Sequence, residues 1–387
     1  MLTPINGGRL GKKVAIIGIL KEHESDNRVV ALPEIVSQLV KSGFEVHLEK
    51  DAGARSFASD ADYTLTGAKI SDRNAILSSA DVILKINPIS IEEAGKIKSG
   101  AVVIAILQPF FNHDLVKKLA EKKITSFSLE TLPRTTRAQT MDVLSSQATV
   151  AGYKAVLLAA SNLAKFFPMF MTAAGSITPS KVLILGAGVA GLQAIATARK
   201  LGAVVEAFDT RIAVKEEVMS LGAKFVEVEG AKDEKSAGGY AVEQTEEFKQ
   251  KQKAKIHEHA VKSDVIITTA QIPGRKAPVL ITKEMVEGMK PGSVVIDLAA
   301  STGGNCELTQ NDKTVVHNGV SIIGNSNLPS TLPSDASKMF GKNVFNFMKL
   351  MIKEGTINLN FEDDLVKGTC LTHNGEIVNE RVKEVIK

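Results

Sequence analysis

The chain has 387 residues, of which 44% are hydrophobic and 23% charged, and its formal net charge is +4 at pH 7. This length predicts two or three domains, and so small a charge does not indicate a nucleic-acid-binding protein. No signal peptide is predicted, and Lys165 and Pro168 interrupt the most apolar window, so we expect no membrane span. Cys306 and Cys370 lie far apart, which is typical of reduced thiols in a cytosolic protein.

The N-terminal region alternates short apolar runs with amphipathic ones, which predicts a parallel α/β domain. It carries no glycine fingerprint of its own. Strands are predicted at 14–19, 44–48, 81–86, 101–107 and 125–128, and helices at 33–42, 91–97 and 114–122. A long helical pattern at 139–167 then leads into the next domain.

A loop at 133–145 precedes that helical pattern and combines arginines, an amide, a carboxylate and a hydroxyl. It lies at the predicted domain junction, where clefts usually form. The alternative interpretation is a helix cap with solvated arginines.

A glycine turn follows the predicted buried strand 181–185 and leads into a helix that starts at Val189. Its glycines, Gly186, Gly188 and Gly191, have the spacing G-x-G-x-x-G. The first allows a sharp turn, the second lets a pyrophosphate approach the backbone, and the third lets helix and strand pack closely. The helix N-terminus would offer N–H groups to the phosphates, which predicts a dinucleotide site.

Asp209 ends the next predicted strand, 203–208, about twenty residues beyond the glycines. A carboxylate there can accept the ribose hydroxyls of an adenosine and would repel a 2′-phosphate, so NAD is favoured over NADP. Arg211, two residues on and next to Thr210, leaves an alternative open because NADP sites use a nearby arginine. It could also be solvated or stack on the adenine.

The segment 229–240 is polar and contains glycines, and it is interpreted as a mobile lid that carries Tyr240, or alternatively as a plain surface loop. Strands at 264–268 and 293–297 end in loops that should line the cofactor crevice, the first of which contains Gln271. His257 and His259 are two residues apart on a predicted helix, so no metal site is expected.

The last stretch is predicted as a helix at 335–352 and a hairpin around Asn374 and Gly375. We expect it to return to the first domain. The predicted fold class is therefore α/β, with two Rossmann-like doubly wound parallel-sheet domains, the NAD-binding one (146–329) inserted into the other (1–145 plus 330–387).

The chain resembles the NAD(H)-binding domain I, the soluble alpha subunit, of proton-translocating NAD(P) transhydrogenase, in the alanine dehydrogenase/transhydrogenase superfamily. The resemblance covers nearly the whole length. The segments that carry it are PRTTRAQTMDVLSSQ at 133–147, FPM and MTAAG within 167–175, GAGVAG at 186–191, AGGYA at 237–241 and GGNC at 303–306.

The resemblance implies roles for single residues. Arg134, Gln139, Asp142 and Ser145 would hold the nicotinamide end, and Tyr240 would tip a loop that closes over bound nucleotide. Gln244 stands where the family often has methionine, which makes the apolar closure of that loop less certain. The expected cofactor-binding set is Gly186, Gly188, Val189, Gly191, Asp209, Thr210, Arg211, Gly239 and Gln271.

Two positions separate a transhydrogenase from the related alanine dehydrogenase. An amino-acid dehydrogenase needs a general base, yet Gln108 and Ser301 stand where the catalytic histidine and aspartate of that enzyme should be. Direct hydride transfer between two nicotinamides needs only alignment of the rings. Arg28 and Lys85, which resemble that enzyme's substrate-binding residues, are then interpreted as retained structural residues.

Only one fingerprint is present, so NADP(H) is expected on a separate component, with a further membrane-spanning component coupling the reaction to proton translocation. The resemblance implies a homodimer on the cytoplasmic or matrix-equivalent side, held at the inner membrane through its partners. A non-catalytic NAD-sensing module is the remaining alternative.

Overall fold

The computed structural model describes residues 14–230, 245–272, 274–353 and 355–386. The chain divides into two compact units. Unit 1 comprises residues up to Val143 together with those from Pro333 onward, and unit 2 is the continuous stretch Leu144–Leu332.

Unit 1 begins with alternating strands and helices. These are β1 (Ile16–Ile19), α1 (Pro33–Lys41), β2 (Glu45–Glu49), α2 (Asp60–Leu65), β3 (Lys69–Ser71), α3 (Arg73–Ser79), β4 (Val82–Leu84), α4 (Ile91–Lys96), β5 (Val102–Ala105), α5 (His113–Glu121) and β6 (Thr125–Ser128). The strands pair in the order β3-β2-β1-β4-β5-β6, all parallel. Apolar side chains lie on both faces of this sheet, as expected for a parallel sheet that is covered on two sides.

Unit 2 repeats that plan. Its elements are α6 (Val143–Asn162), β7 (Phe170–Thr172), β8 (Gly175–Ile177), β9 (Lys181–Leu185), α7 (Val189–Lys200), β10 (Val204–Phe208), α8 (Lys215–Ser220), β11 (Lys224–Phe225), α9 (Glu246–Ala260), β12 (Val265–Thr268), α10 (Lys283–Glu287), β13 (Val294–Asp297), β14 (Lys313–His317) and β15 (Val320–Gly324). The order β11-β10-β9-β12-β13-β15 is parallel, and β14 adds antiparallel to β15.

Each sheet therefore has the doubly wound order 3-2-1-4-5-6, and the expected α/β class with two Rossmann-like parallel sheets is confirmed. In such sheets the order reverses at a switch point, beyond the carboxyl ends of β1 and β4 in unit 1 and of β9 and β12 in unit 2. Ligands of doubly wound proteins bind at that point.

The last elements belong to unit 1. They are α11 (Pro333–Met348), β16 (Ile352–Lys353), β17 (Thr356–Ile357), α12 (Asp364–Thr369), β18 (Cys370–His373), β19 (Glu376–Ile377) and α13 (Glu380–Val385). On α11, Phe347 packs edge-on against Phe127 of β6 with ring centroids 5.6 Å apart. The predicted hairpin is confirmed. Asn374 and Gly375 both have positive φ, as a type I′ turn requires, and β18 pairs antiparallel with β6.

The helix predicted at 139–167 is shorter than expected. Residues Thr136–Met141 form a 3₁₀ turn instead, and α6 ends at Asn162. Beyond it, the exposed hairpin of β7 and β8 was missed, because its strands are three residues each and lack alternation.

Among the described residues, α6 is the one helix long and apolar enough to cross a membrane by length and composition. Its residues Ala155, Val156 and Ala159 belong to the apolar core of unit 2. A Cβ added at Gly152 would lie 2.1 Å from the carbonyl oxygen of Ala190 on α7. The helix is therefore packed as a core element of unit 2.

Candidate dinucleotide-binding site

The glycine turn joins β9 to α7 at the switch point of unit 2. Gly186 has φ of +101°, a conformation that L side chains rarely adopt. A Cβ added at Gly191 would lie only 1.9 Å from the carbonyl oxygen of Gly186. The first and third glycines are thus required by the protein's own packing.

Gly188 is different, because a Cβ added there would meet no protein atom within 4 Å. It is the residue that precedes α7, and no side chain caps this helix and no acidic residue stands in its first turn. Val189 is 42% exposed. The N-terminus of α7 therefore presents uncapped backbone and its positive dipole end to open space, which fits the phosphates of a dinucleotide.

Asp209 lies at the end of β10 and is almost fully buried. Its carboxylate accepts hydrogen bonds from the Ala187 N–H at 2.7 Å and from Arg211, whose backbone N, Nε and Nη2 lie 2.9, 2.9 and 2.8 Å away. A carboxylate has about four acceptor positions, and protein donors take them here. A ribose hydroxyl would reach Asp209 by taking the place of the Arg211 guanidinium.

The two neighbouring residues therefore need a revised description. Arg211 is engaged with Asp209 rather than solvated, and half-buried Thr210 lies between them. Further along, the exposed Gln271 follows β12 and donates its amide to the Leu298 carbonyl at 2.9 Å. Gly239, Tyr240 and Gln244 lie outside the described residues.

The loop before α6 presents some of its predicted residues to solvent. Ala138 and Met141 are buried in the core of unit 1, and they fix the 3₁₀ turn that leaves Gln139 exposed. Arg134 is also exposed, whereas Asp142 is half-buried. Ser145, half-buried, lies in the first turn of α6.

Distant residues of unit 1 anchor this loop. Arg137 donates two parallel hydrogen bonds to Asp363, at 2.7 and 2.8 Å, and also pairs with Asp364. The guanidinium lowers the pKa of the Asp363 carboxyl below its ordinary value. Asn343 on α11 donates to the Thr140 carbonyl at 2.8 Å. The sequence did not reveal these partners, because more than two hundred residues separate them from the loop.

The switch point of unit 1 is filled by charged side chains. Glu22 is fully buried and accepts hydrogen bonds from Lys85 Nζ at 3.1 Å, from the Ile86 N–H at 2.6 Å and from Asn87 Nδ2 at 3.0 Å. Asn87 Nδ2 also donates to Asp26 at 2.8 Å.

Asp26 in turn holds Arg28 with two side-chain bonds of 2.9 and 2.6 Å. Burial alone would raise the pKa of Asp26, but the bonds from Arg28 outweigh it and the pKa lies below its ordinary value. The cations that resemble substrate-binding residues, Arg28 and Lys85, are thus paired with carboxylates of their own unit.

The positions that lack a histidine and an aspartate are both exposed. Gln108, with φ of +52°, donates its N–H to the Glu130 carboxylate, and the Ser301 N–H donates to Ser326 Oγ at 2.8 Å. Burial raises the pKa of Glu130. Glu130 was not predicted from the sequence, since a single glutamate after a strand carries no distinctive pattern.

Comparison with known proteins agrees with this geometry. Two family models match, described as alanine dehydrogenase/PNT, N-terminal domain, over residues 18–151, and C-terminal domain, over residues 155–380. In Rhodospirillum rubrum, the first of the separate polypeptides named NAD(P) transhydrogenase subunit alpha is 49% identical to this chain, over 94% of this chain and 97% of that protein.

A solved structure supports the same relationship. The transhydrogenase from Sinorhizobium meliloti superposes with a TM-score of 0.86 at 46% identity, covering 94% of this chain and 100% of that one. An alanine dehydrogenase of Staphylococcus saprophyticus is more distant, at 28% identity over 96% of each chain.

Proposed function

The chain belongs to the alanine dehydrogenase/PNT family, and we propose that it is the NAD(H)-binding component of a proton-translocating NAD(P) transhydrogenase. It would pass hydride directly from NADH to NADP⁺ held on a partner component. The observation that carries the proposal is the open N-terminus of α7 at Gly188, next to a buried carboxylate, Asp209, at the switch point of unit 2.

The residues around that switch point fit one dinucleotide. The uncapped first turn of α7 would bind the pyrophosphate through backbone N–H groups. Asp209, after displacement of Arg211, would take the adenosine ribose and disfavour a 2′-phosphate. When bound, NADH supplies the hydride at C4 of its nicotinamide.

Residues of the loop before α6 would orient the reactive end. Arg134 and Gln139 are exposed and can reach a ligand, while Asp142 and Ser145 are half-buried and can fix its amide. Alignment of two rings at about 3–3.5 Å is the main requirement of direct hydride transfer. No group on this chain has to remove a proton from the substrate, which accords with Gln108 and Ser301 at the base positions.

We extend the proposal to the assembly. A homodimer of this chain would dock with an NADP(H)-binding component and a membrane-spanning one, on the cytoplasmic or matrix-equivalent side of the inner membrane. The names of the relatives, which are alpha subunits, support this assembly because they imply further subunits.

One observation favours a second candidate, an NAD-dependent amino-acid dehydrogenase. Glu130 is a titratable side chain beside Gln108, and its raised pKa is what a general acid or base needs. Against this, Arg28 and Lys85 are already paired with Asp26 and Glu22 and offer a substrate carboxylate little net charge.

The test compares two reactions. The purified chain is mixed with NADH and the thionicotinamide analogue of NADP⁺, with and without an NADP(H)-binding component, and reduction of the analogue is followed by absorbance. We expect reduction only with the partner present and tighter binding of NADH than of NADPH. Alanine-dependent reduction of NAD⁺ by the chain alone, abolished by Glu130→Gln, would establish the second candidate instead. Binding of NADH without turnover under any of these conditions would leave a sensing module.

A further inference from the structure

A buried carboxylate lies at the carboxyl end of β13, next to the glycine turn's sheet neighbour β12. Asp297 has no exposed surface. Its Oδ1 accepts from Thr268 Oγ1 at 3.0 Å and the Ala299 N–H at 2.9 Å, and its Oδ2 accepts from the Asn305 N–H at 2.8 Å. The Cys306 N–H and Thr309 Oγ1 complete the set at 3.0 and 2.7 Å. Five donors therefore fold the loop after β13 around one side chain.

The tightness of this loop explains its glycines. Gly303 and Gly304 have φ of +103° and +80°. A Cβ at Gly304 would lie 2.9 Å from Oδ2 of Asp297. The G-G-N-C sequence is thus the minimum chain that can turn back over the carboxylate and present Asn305 on its other side.

Asn305 continues the connection toward the next strand. Its side-chain oxygen accepts from the Ala270 N–H at 3.0 Å, and its amide nitrogen donates to the Ala270 carbonyl at 2.9 Å and to the Pro278 carbonyl at 2.8 Å. The carboxamide therefore pairs with both backbone groups of Ala270, as a neighbouring strand would. It holds the loop after β12 in place where the sheet itself has ended.

Thr269, next to Ala270, completes the path to the glycine turn. Its Oγ1 donates to the Gly186 carbonyl at 3.0 Å, and a Cβ at Gly186 would lie 2.5 Å from the same oxygen. Asp297, Asn305, Ala270 and Thr269 thus form one continuous hydrogen-bonded path to the backbone of Gly186.

We infer that Asn305 and Thr269 are positioning residues that hold the glycine turn in the geometry that binds the pyrophosphate of the dinucleotide, an inference that rests on the proposed function. Neither side chain has to touch the nucleotide. Thr269 orients the Gly186 peptide, and Asn305 fixes Thr269 by clamping the backbone of its neighbour. The path is buried and its hydrogen bonds are paired, so it transmits a displacement of the loop after β13 to the turn.

The experiment uses Thr269→Val, which keeps the side-chain shape and removes the hydroxyl, with Thr269→Ser as the matched control. Calorimetric titration of the full-length chain with NADH, ADP-ribose and adenosine separates pyrophosphate binding from adenosine binding. We expect Thr269→Val to weaken NADH and ADP-ribose about three- to tenfold, the loss of one hydrogen bond, and to leave adenosine unchanged. Thr269→Ser should stay within about twofold of the wild type.

Asn305→Asp is a second variant, since it keeps one acceptor for the Ala270 N–H but cannot donate to either carbonyl. We expect it to show the same selective loss, larger than that of Thr269→Val, and with the partner component present to raise KM for NADH without lowering kcat. Equal affinities in Thr269→Val and wild type, or an equal loss for adenosine, would overturn the inference alone. Wild-type protein that binds neither NADH nor ADP-ribose would contradict the proposed function, and the inference with it.

Discussion

The two units have the same strand order, yet they fill their switch points in opposite ways. In unit 2 the strand β9 runs into glycines and an uncapped helix, and Gly188 faces open space. In unit 1 the chain after β1 places Glu22 in the equivalent position, where it accepts backbone and side-chain hydrogen bonds from the end of β4. One switch point presents backbone donors to a ligand, and the other is closed by its own carboxylate.

This difference shows that strand order creates the position of a site and side chains decide whether it is used. A buried, paired carboxylate is costly to disturb, whereas an open helix N-terminus contributes nothing to folding. Damage to the first switch point should therefore appear as lost stability, and damage to the second as lost binding.

The largest effect is expected at the closed switch point. Glu22→Gln leaves the Lys85 ammonium buried without its counter-charge, and removing one partner of a buried pair costs about 3–5 kcal/mol. Guanidinium denaturation of the variant should show early unfolding of unit 1, while NADH affinity per folded molecule stays unchanged.

Two controls sharpen that result. Glu92→Gln breaks an exposed helical pair with Lys96 and should cost at most about 0.5 kcal/mol. Glu22→Gln combined with Lys85→Met removes both charges and should recover part of the loss. If Glu22→Gln were as stable as Glu92→Gln, the closed switch point would not contribute to the stability of unit 1.

A smaller effect is expected at the open switch point, and there the glycines should separate. Gly188→Ala meets no protein atom, so its melting temperature should match the wild type while NADH affinity falls about tenfold, the loss of one charge-assisted hydrogen bond. Gly191→Ala collides with the Gly186 carbonyl and should lose about 1–3 kcal/mol of stability as well. Calorimetry and thermal unfolding of the pair check this; a destabilised Gly188→Ala would contradict the open helix end.

The loop before α6 should give a still smaller effect, because its anchor is half-exposed. Exposed ion pairs contribute about 0–1 kcal/mol, so Arg137→Ala should cost no more than that in stability, and the exchange Arg137→Asp with Asp363→Arg should restore part of the loss. Unaltered catalysis with the partner component in Arg137→Ala would show that the anchor does not position the loop.

The same ion pair has a defined pH dependence. The pKa of Asp363 is lowered on folding, so the stabilisation is complete above the ordinary carboxyl pKa of 3.8 and is lost as pH falls through the lower folded value. The stability difference between wild type and Arg137→Ala should therefore vanish between about pH 6 and about pH 3. A difference that stayed constant over this range would exclude the carboxylate as the partner.

The smallest effect is expected for the thiols, one in each unit. Both are buried, and burial raises the pKa of Cys306 to about 11 and of Cys370 to about 12. Neither should react with Ellman's reagent at about pH 8 in the native protein, and both should react in guanidinium. In Glu22→Gln, Cys370 should become reactive before Cys306, and the reverse order would contradict separate closure of unit 1.

The sequence predicts much of this architecture because local patterns carry it. The apolar run at 181–185 and the three glycines specify a strand, a turn and a helix without reference to distant residues. The pairings are different. Nothing near Asp209 predicts that Arg211 would occupy its oxygens, and nothing near Asn305 predicts a bond to Ala270. Short elements such as β3 and β14 also escape detection, because a strand of three to five polar residues has no period to read.

The return of α11 and β18 to unit 1 has a consequence for synthesis on the ribosome. All of unit 2 emerges before Phe347, which packs on Phe127, and before β18, which pairs with β6. Unit 2 can thus complete its own sheet while unit 1 still lacks a helix of its core. The nascent chain therefore exposes an unpaired edge at β6 for as long as the inserted unit takes to be translated, and this is the interval in which a chaperone would protect it.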